Sequence, residues 1–286
     1  MKLDIVTVAW NAGPELIDAV RSARAFGGHP IVVDNGSDQG TFEDAVTGEG
    51  VTAVRLPENR GFAAGCNAGA AAGDADLILF LNPDAEIIGG RAEDLTAAFA
   101  DPAPVILGFD LVDGAGRPIP AWRPAPSGVG IVGDVLRIDA VRRAMRRPKH
   151  DADEPGTFQS DGGFVVGSAF AIRRVDWAAL GGLDDRFFLW YEEVDLCQRF
   201  LAIGGRFRLC AAVTVRHHGA MSWRRIPRVR RARIRAASAR RYAARHLGRG
   251  TAALVAAVTP GALFIGLCLD LRAALSRHLR RSADRT

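Results

Sequence analysis

Three places in the 286-residue chain set acids or imidazoles where they could do chemistry. The first is the apolar run Ile78-Leu79-Phe80-Leu81, which breaks off into Asn82-Pro83-Asp84. These are ordinary turn residues, and a strand that merely stops would account for them. Pro83 would also stiffen the backbone so that Asp84 stands just past the strand end. The second is Trp190-Tyr191-Glu192-Glu193-Val194-Asp195. Read as a helix beginning near Glu192, it places Leu196, Phe200 and Ile203 on one apolar stripe headed by Glu193. Glu192, Asp195 and Arg199 fall on the flank, with Asp195 and Arg199 as an i,i+4 pair. Acids favour a helix N-terminus in any case, but a carboxylate aimed at a core needs a partner or a task. A partly desolvated Glu suits a general base. The third is His217-His218, which follows a strand-like run. Most lone histidines are structural, but Asp84 and His217 together are competent ligands for a divalent ion such as Mn²⁺.

The elements that must position these groups read clearly in the first hundred residues. Strand-like runs at 2–10, 29–37, 51–56 and 76–82 alternate with helical spacing at 14–26, a weak helix after Thr41 and a small-residue helix at 61–73. This order, with near-continuous apolar strands, predicts an α/β fold whose parallel sheet is covered by helices. Ligands in such sheets bind beyond the carboxyl ends of the strands. Those ends carry Ala9-Trp10-Asn11, Asp34-Asn35 and Asn82-Pro83-Asp84. Further on, 110–162 reads as loop-rich and carries an arginine run at 140–150. Residues 162–174 read as one strand, followed by a short helix and a loop into the Glu192 segment.

Several chemistries find no support. The turn after the first strand, Ala-Trp-Asn-Ala-Gly-Pro, lacks G-x-G-x-x-G, and no G-x-x-x-x-G-K-[ST] occurs. A nucleotidyltransferase would need a Gly-rich, Lys- or Arg-bearing loop at that turn. No Ser/His/Asp or Cys/His arrangement suggests a covalent nucleophile. Cys66, Cys197, Cys210 and Cys268 form no C-x-x-C pair and sit in apolar surroundings, which predicts reduced thiols and a cytoplasmic location. The first residues are too short and too interrupted for a signal peptide.

The motifs in order resemble a bacterial family 2 glycosyltransferase of GT-A fold, rhamnosyltransferase-like members above all. The landmarks are VTVAWN, IVVDNGSDQGT, PENRGFAAGCNAG, LFLNPDAEI, VVGSAFAIRR, GGLDDRFFLWYEEVDLCQR and VRHHGAMS, spanning roughly residues 3–223. The resemblance implies a Rossmann-like, mixed, mostly parallel sheet flanked by helices. It implies an inverting, single-displacement transfer from a dTDP- or UDP-linked sugar, rhamnose preferred, to a cell-envelope glycan or lipid-linked acceptor. Thr7, Trp10, Asn11, Asp34, Arg60, Gly61, Asn67 and Asp84 would bind the donor, and Trp190 and Glu192 the acceptor. Asn82-Pro83-Asp84 would stand in for D-x-D, with Asp84 and His217 holding Mg²⁺ or Mn²⁺ and Glu193 as the base. Asn82 replaces the first acid and Glu193 stands where Asp is commoner. Both departures leave open a catalytically silent relative that binds nucleotide sugar or serves as a scaffold.

The charge is unevenly spread. Residues 224–286 hold 16 arginines against two acids, Asp270 and Asp284, for +14, and residues 1–223 carry −9 within a net +5. The chain therefore divides into a glycosyltransferase domain, 1–223, and an arginine-rich, apolar helical tail, 224–286. Residues 251–269 are uncharged, with Pro260-Gly261 in the middle. The tail is expected to lie on the anionic inner face of the membrane, making the protein peripheral. A span and a helix packed on the domain or in a homo-oligomer interface, with a solvated basic face, are the other readings. No nucleic-acid reader motif accompanies the arginines.

Overall fold

The structure is a computed structural model that describes residues 1–48, 50–137, 163–219 and 226–283. It divides into two units: Met1–Ala125 with Arg146–Ser222, and Pro126–Met145 with Trp223–Thr286. The arginine run at 140–150 and Trp223 lie outside the described residues.

In the first unit β1 (Leu3–Ala9), α1 (Glu15–Phe26), β2 (His29–Asn35), α2 (Phe42–Val46), β3 (Thr52–Leu56), α3 (Phe62–Ala71) and β4 (Leu77–Leu81) alternate as the periodicity predicts. The strands run β3-β2-β1-β4, all parallel, with Ala9 beside Asp34 and Asp34 beside Arg55. The carboxyl ends of β1 and β2 are therefore level. All of β1 and β4 is buried because both faces of the sheet are covered. Leu3, Ile5, Leu77, Leu79 and Leu81 pack with Phe26, Leu95 and Phe99 on one side. On the other, Phe80 stacks on Phe170 and meets Trp177 at a tilt, with ring centroids 4.9 and 4.6 Å away. The small residues of α3 let it lie directly on the sheet. A Cβ on Gly65 would stand 2.5 Å from Val8 Cγ1, and one on Gly69 2.4 Å from Val6 Cγ1.

The rest of the first unit comprises β5 (Ala85–Gly89), α4 (Ala92–Ala98), β6 (Val105–Asp113), β7 (Pro118–Ile119), β8 (Trp122–Pro124), β9 (Gly163–Val165) and β10 (Ala169–Arg173). It closes with two helices and a long strand. Counting α5 (Gly128–Val135) in the second unit, these are α6 (Arg174–Leu180), α7 (Glu192–Ala202) and β11 (Arg206–His217). The sheet extends as β4-β10-β6-β11-β5, with β10 antiparallel to β4 and β6, β11 parallel to β6, and β5 antiparallel to β11.

Two expectations are corrected here. The stretch from residue 110 is not loop-rich throughout: it carries the end of β6, then β7, β8 and α5. Glycines and acids within these short runs (Gly108, Asp110, Asp113) hide their periodicity. Nor is 162–174 one strand. It breaks at Val166–Ser168, so that β9 pairs with β8 in a separate ribbon while β10 joins the main sheet.

The second unit contains α5, α8 (Arg228–His246) and α9 (Arg249–Ala283), which continues through Pro260. The Asp270 carboxylate on α9 accepts the N–H groups of Arg228 and Val229 at 3.1 and 3.0 Å. The start of α8 is thus pinned beside residue 270, while Leu247-Gly248 joins its other end to α9, making an antiparallel hairpin. Asp134 on α5 pairs with Arg235 on α8 at 2.8 Å.

Candidate active site

Strand register brings Asp84 and His217 together. β11 runs antiparallel to β5 with His217 opposite Ala85, and the His218 N–H donates to the Asp84 carbonyl at 2.9 Å. Asp84, 7% exposed, consequently faces His217 with its Oδ1 3.3 Å from His217 Nε2. The Asn82-Pro83-Asp84 turn is closed by the Ala85 N–H on the Asn82 carbonyl at 3.0 Å.

Glu193 reaches the same neighbourhood through two short links. The Asn82 N–H donates to the Ser168 carbonyl at 2.9 Å. The residue before it, Gly167, lies against Glu193, since a Cβ there would stand 3.3 Å from Glu193 Cγ. Glycine at 167 therefore makes room for the carboxylate.

Burial along α7 differs from the helical-stripe reading. Asp195 is fully buried and Glu192 is 4% exposed, whereas Glu193 is half-buried. The two residues expected on a flank are the deeper ones. Asp195 is tolerated because Arg199 meets it at 2.8 Å and spends its other nitrogens on the Leu180 and Gly182 carbonyls, as the i,i+4 spacing anticipates only in part. The Glu192 carboxylate accepts the N–H groups of Trp190 and of Glu192 itself. Those bonds steady an unusual helix entry, because Trp190 and Tyr191 are both left-handed, at φ 67° and 72°. One oxygen of each glutamate, Oε2, is buried without a hydrogen-bond partner, as is Ser168 Oγ.

The pair is electrically divided. Burial, then the neighbouring charge of Glu193, pushes the Glu192 carboxyl well above its ordinary value. Burial also raises Glu193, but its own N–H, the Arg123 guanidinium and the Val194 N–H pull it back. Burial holds both carboxyls up, and the Arg123 guanidinium favours the charged form of Glu193. That is the arrangement a general base requires.

The ends of β1 and β2 carry the remaining candidate residues. Thr7 is buried on β1, and Asp34 is 9% exposed with its Oδ1 accepting the Ser37 N–H at 3.0 Å. Asn11 ties down the same loop, its N–H donating to Ser37 Oγ and its side-chain oxygen accepting the Asp38 and Gln39 N–H groups. Trp10 is half-buried beside it. Asn35 binds the Arg60 N–H and the Gly61 carbonyl, joining β2 to the entry of α3. Asn67 has both ends of its amide on the Leu183 backbone, at 2.8 and 3.0 Å. The Phe62 N–H reaches the Phe188 carbonyl at 2.8 Å. The loop before α7, including half-buried Trp190, is thus held over α3.

Gly61 is the tightest of these joints. It has φ 91°, and a Cβ would fall 2.4 Å from the Phe188 carbonyl oxygen. Gly61→Ala is expected to cost about 1–3 kcal/mol of unfolding free energy from strain and the lost fit, read by urea denaturation. An unchanged midpoint would show that the loop does not depend on this contact.

Arg123 carries no motif, and Gly167 and Ser168 fall within the Val-Val-Gly-Ser-Ala-Phe landmark without a role assigned to them there. Only the contact of β9–β10 with α7 identifies them. As a metal centre, Asp84 and His217 supply an acid and an imidazole, and no cluster of three or more His, Cys, Asp or Glu side chains occurs among the described residues. This donor set fits a cation that takes its remaining ligands from phosphate oxygens and water, as Mg²⁺ does.

A family model described as glycosyl transferase family 2 matches residues 4–174. The chain is 28% identical over 246 residues to N-acetylglucosaminyl-diphospho-decaprenol L-rhamnosyltransferase of Mycobacterium tuberculosis, covering 79% of this chain and 78% of that protein. It is 27% identical over 207 residues to the pre-mycofactocin glycosyltransferase of the same organism, covering 71% of this chain but 39% of the relative. Among solved structures it resembles GalNAc-T7 with UDP, GalNAc and Mn²⁺ (TM-score 0.52, 16% identity, 76% of this chain and 44% of that one). It also resembles S. aureus TarS 1–349 with UDP-GlcNAc (TM-score 0.52, 12% identity, 82% and 66%). The chain thus spans under half the length of the GalNAc-T7 chain, and these two likenesses concern the fold, a mixed GT-A-like sheet.

Proposed function

The chain belongs to glycosyl transferase family 2 and is a rhamnosyltransferase-like glycosyltransferase enzyme, and from that premise we propose that it is an inverting, metal-dependent transferase moving a sugar, rhamnose first, from a nucleoside-diphosphate donor to a polyprenyl-diphosphate-linked saccharide. The rhamnosyl donor and lipid-linked acceptor are argued from the M. tuberculosis relative, which aligns along most of both chains. The observation that carries the mechanism is the convergence of Glu193, through Gly167 and Ser168, on the turn that holds Asp84 against His217.

In this reading Thr7 and Asp34 receive the nucleoside, with Trp10 and Arg60 beside it. Asn11, Gly61 and Asn67 act by shaping the surrounding loops, since their polar groups or backbone are occupied there. Asp84 and His217 hold the cation. When bound, it supplies Lewis-acid neutralisation of the leaving diphosphate. Glu193 takes the proton from the acceptor hydroxyl as that oxygen attacks the anomeric carbon from the face opposite the diphosphate. One C–O bond forms, one breaks, and the configuration inverts. Glu192 holds the Trp190 turn beside the acceptor.

The test incubates the full chain with dTDP- and UDP-linked sugars, Mg²⁺ or Mn²⁺, and a short-chain prenyl diphosphate-linked GlcNAc. The expected products are free nucleoside diphosphate and a lipid-linked disaccharide whose new linkage is inverted by NMR. A retained configuration, release of pyrophosphate from a nucleoside triphosphate, or donor binding without any transfer would each overturn the reading.

A further inference from the structure

We infer that the second unit docks in the plane of an anionic membrane surface, with the outward face of α9 in the boundary between headgroups and acyl chains and the arginines of α8 on the phosphates. The first observation is that α9 is inverted relative to a helix in water. Its buried positions are small or short: Val255, Ala262 and Gly266. Gly266 lets the backbones approach, since a Cβ there would stand 3.0 Å from Val229 Cα. Its large apolar side chains point outward, with Leu254 51%, Phe264 68%, Leu267 46% and Leu271 61% exposed. Between Ala253 and Leu271 every exposed residue is apolar, a proline, a glycine or Cys268. At a rise of about 1.5 Å per residue this face is roughly 27 Å long, and a continuous apolar surface of that length marks an interaction site.

The hairpin chooses between lying and crossing. By length and composition Arg249–Ala274 could span, with a mean hydropathy of 2.2 over an 18-residue window. But α8 runs antiparallel along this segment, pinned by Asp270 at one end and by the Leu247-Gly248 connection at the other. α8 holds eight arginines and no acid. Threading α9 through a bilayer would carry those arginines into hydrocarbon, where they are strongly disfavoured. Laid flat, the same hairpin sets the α8 arginines at the depth of the phosphates, which their long stems can reach. Arg230, Arg233 and Arg240 are exposed along one line of α8. Anionic lipid complements that charge. A second copy does not, because two such faces would bring two acid-free arginine helices together.

The molecule carries its own reporter: Cys268 is exposed on the outward face, and Cys66, Cys197 and Cys210 are buried. The full chain, labelled at Cys268 with a polarity-sensitive dye, is mixed with vesicles of phosphatidylcholine alone or with one-third phosphatidylglycerol. The expected result is at least tenfold tighter binding to the anionic vesicles, a blue shift of the dye, and release by alkaline carbonate. The double variant F264E/L267E should lose tenfold or more. The triple variant R230E/R233E/R240E should lose a similar factor and show a flatter salt dependence, both with unchanged thermal melts. Equal binding to the two vesicles, or none, overturns the inference. Resistance to carbonate overturns it in favour of a span. A dimer seen by light scattering and dissolved by F264E/L267E, without vesicle binding, overturns it in favour of a second copy.

Discussion

Glu193→Gln is expected to lower kcat by about 10²- to 10⁴-fold, the range a positioned general base supplies, while donor binding persists. It should also make the protein more stable at neutral pH. Burial raises the Glu193 carboxyl above its ordinary 4.5 in the folded state. A group raised in this way favours folding below the unfolded value, and that contribution is lost as pH climbs through the folded value. The wild-type protein therefore gives up stability between about pH 4.5 and the raised value, and glutamine, which does not titrate, gives up none. The difference in Tm between variant and wild type should open in the variant's favour across that window and then stay level. Activity of the wild type should rise with pH over the same range, since only ionised Glu193 can accept the proton. A variant that retains a tenth of the activity, or that melts lower at every pH, would remove Glu193 from the mechanism.

Asp84→Asn is expected to cost about 10²- to 10³-fold in kcat/KM, corresponding to the several kcal/mol that charge stabilisation by a metal contributes. The asparagine keeps the shape and can still meet His217 across the 3.3 Å contact, so the fold should persist. The diagnostic readout is calorimetry of donor binding with Mn²⁺ and with EDTA. In the wild type the cation should strengthen binding of the nucleoside diphosphate, and in the variant the two titrations should coincide. A variant that keeps the cation's effect would show that the ion is held elsewhere.

How much of this was legible beforehand follows the range of each interaction. The strand ends at Ala9, Asp34 and Asp84 were readable because apolar periodicity and its interruption are local signals. The α7 entry was readable because acids at a helix start are local too. The burial order of Glu192, Glu193 and Asp195 was not, since a helical wheel sees spacing but not which neighbour covers it. The Trp190–Tyr191 turn and the Gly167 gap decide that order here. The same holds for Arg123, which tempers Glu193 from a strand distant in sequence, and for the Asn67–Leu183 and Arg199–Gly182 clamps. Residues 251–269 were visibly apolar, but their pairing with a second helix was not legible, because it runs through Asp270, whose partners are on that other helix.

β5 joins the sheet through β11 alone, as the edge strand in the order β6-β11-β5. During synthesis Asp84 and its adjoining strand therefore leave the ribosome long before the strand that will hold them, and His217 is the last residue of that strand. A nascent chain that has emerged only through α7 already owns Asp84, Glu193 and the Gly167–Ser168 link between them, but lacks the His217 that faces Asp84. Competence should consequently arise in a single step near the completion of β11, and fragments released earlier would be inert rather than partly active.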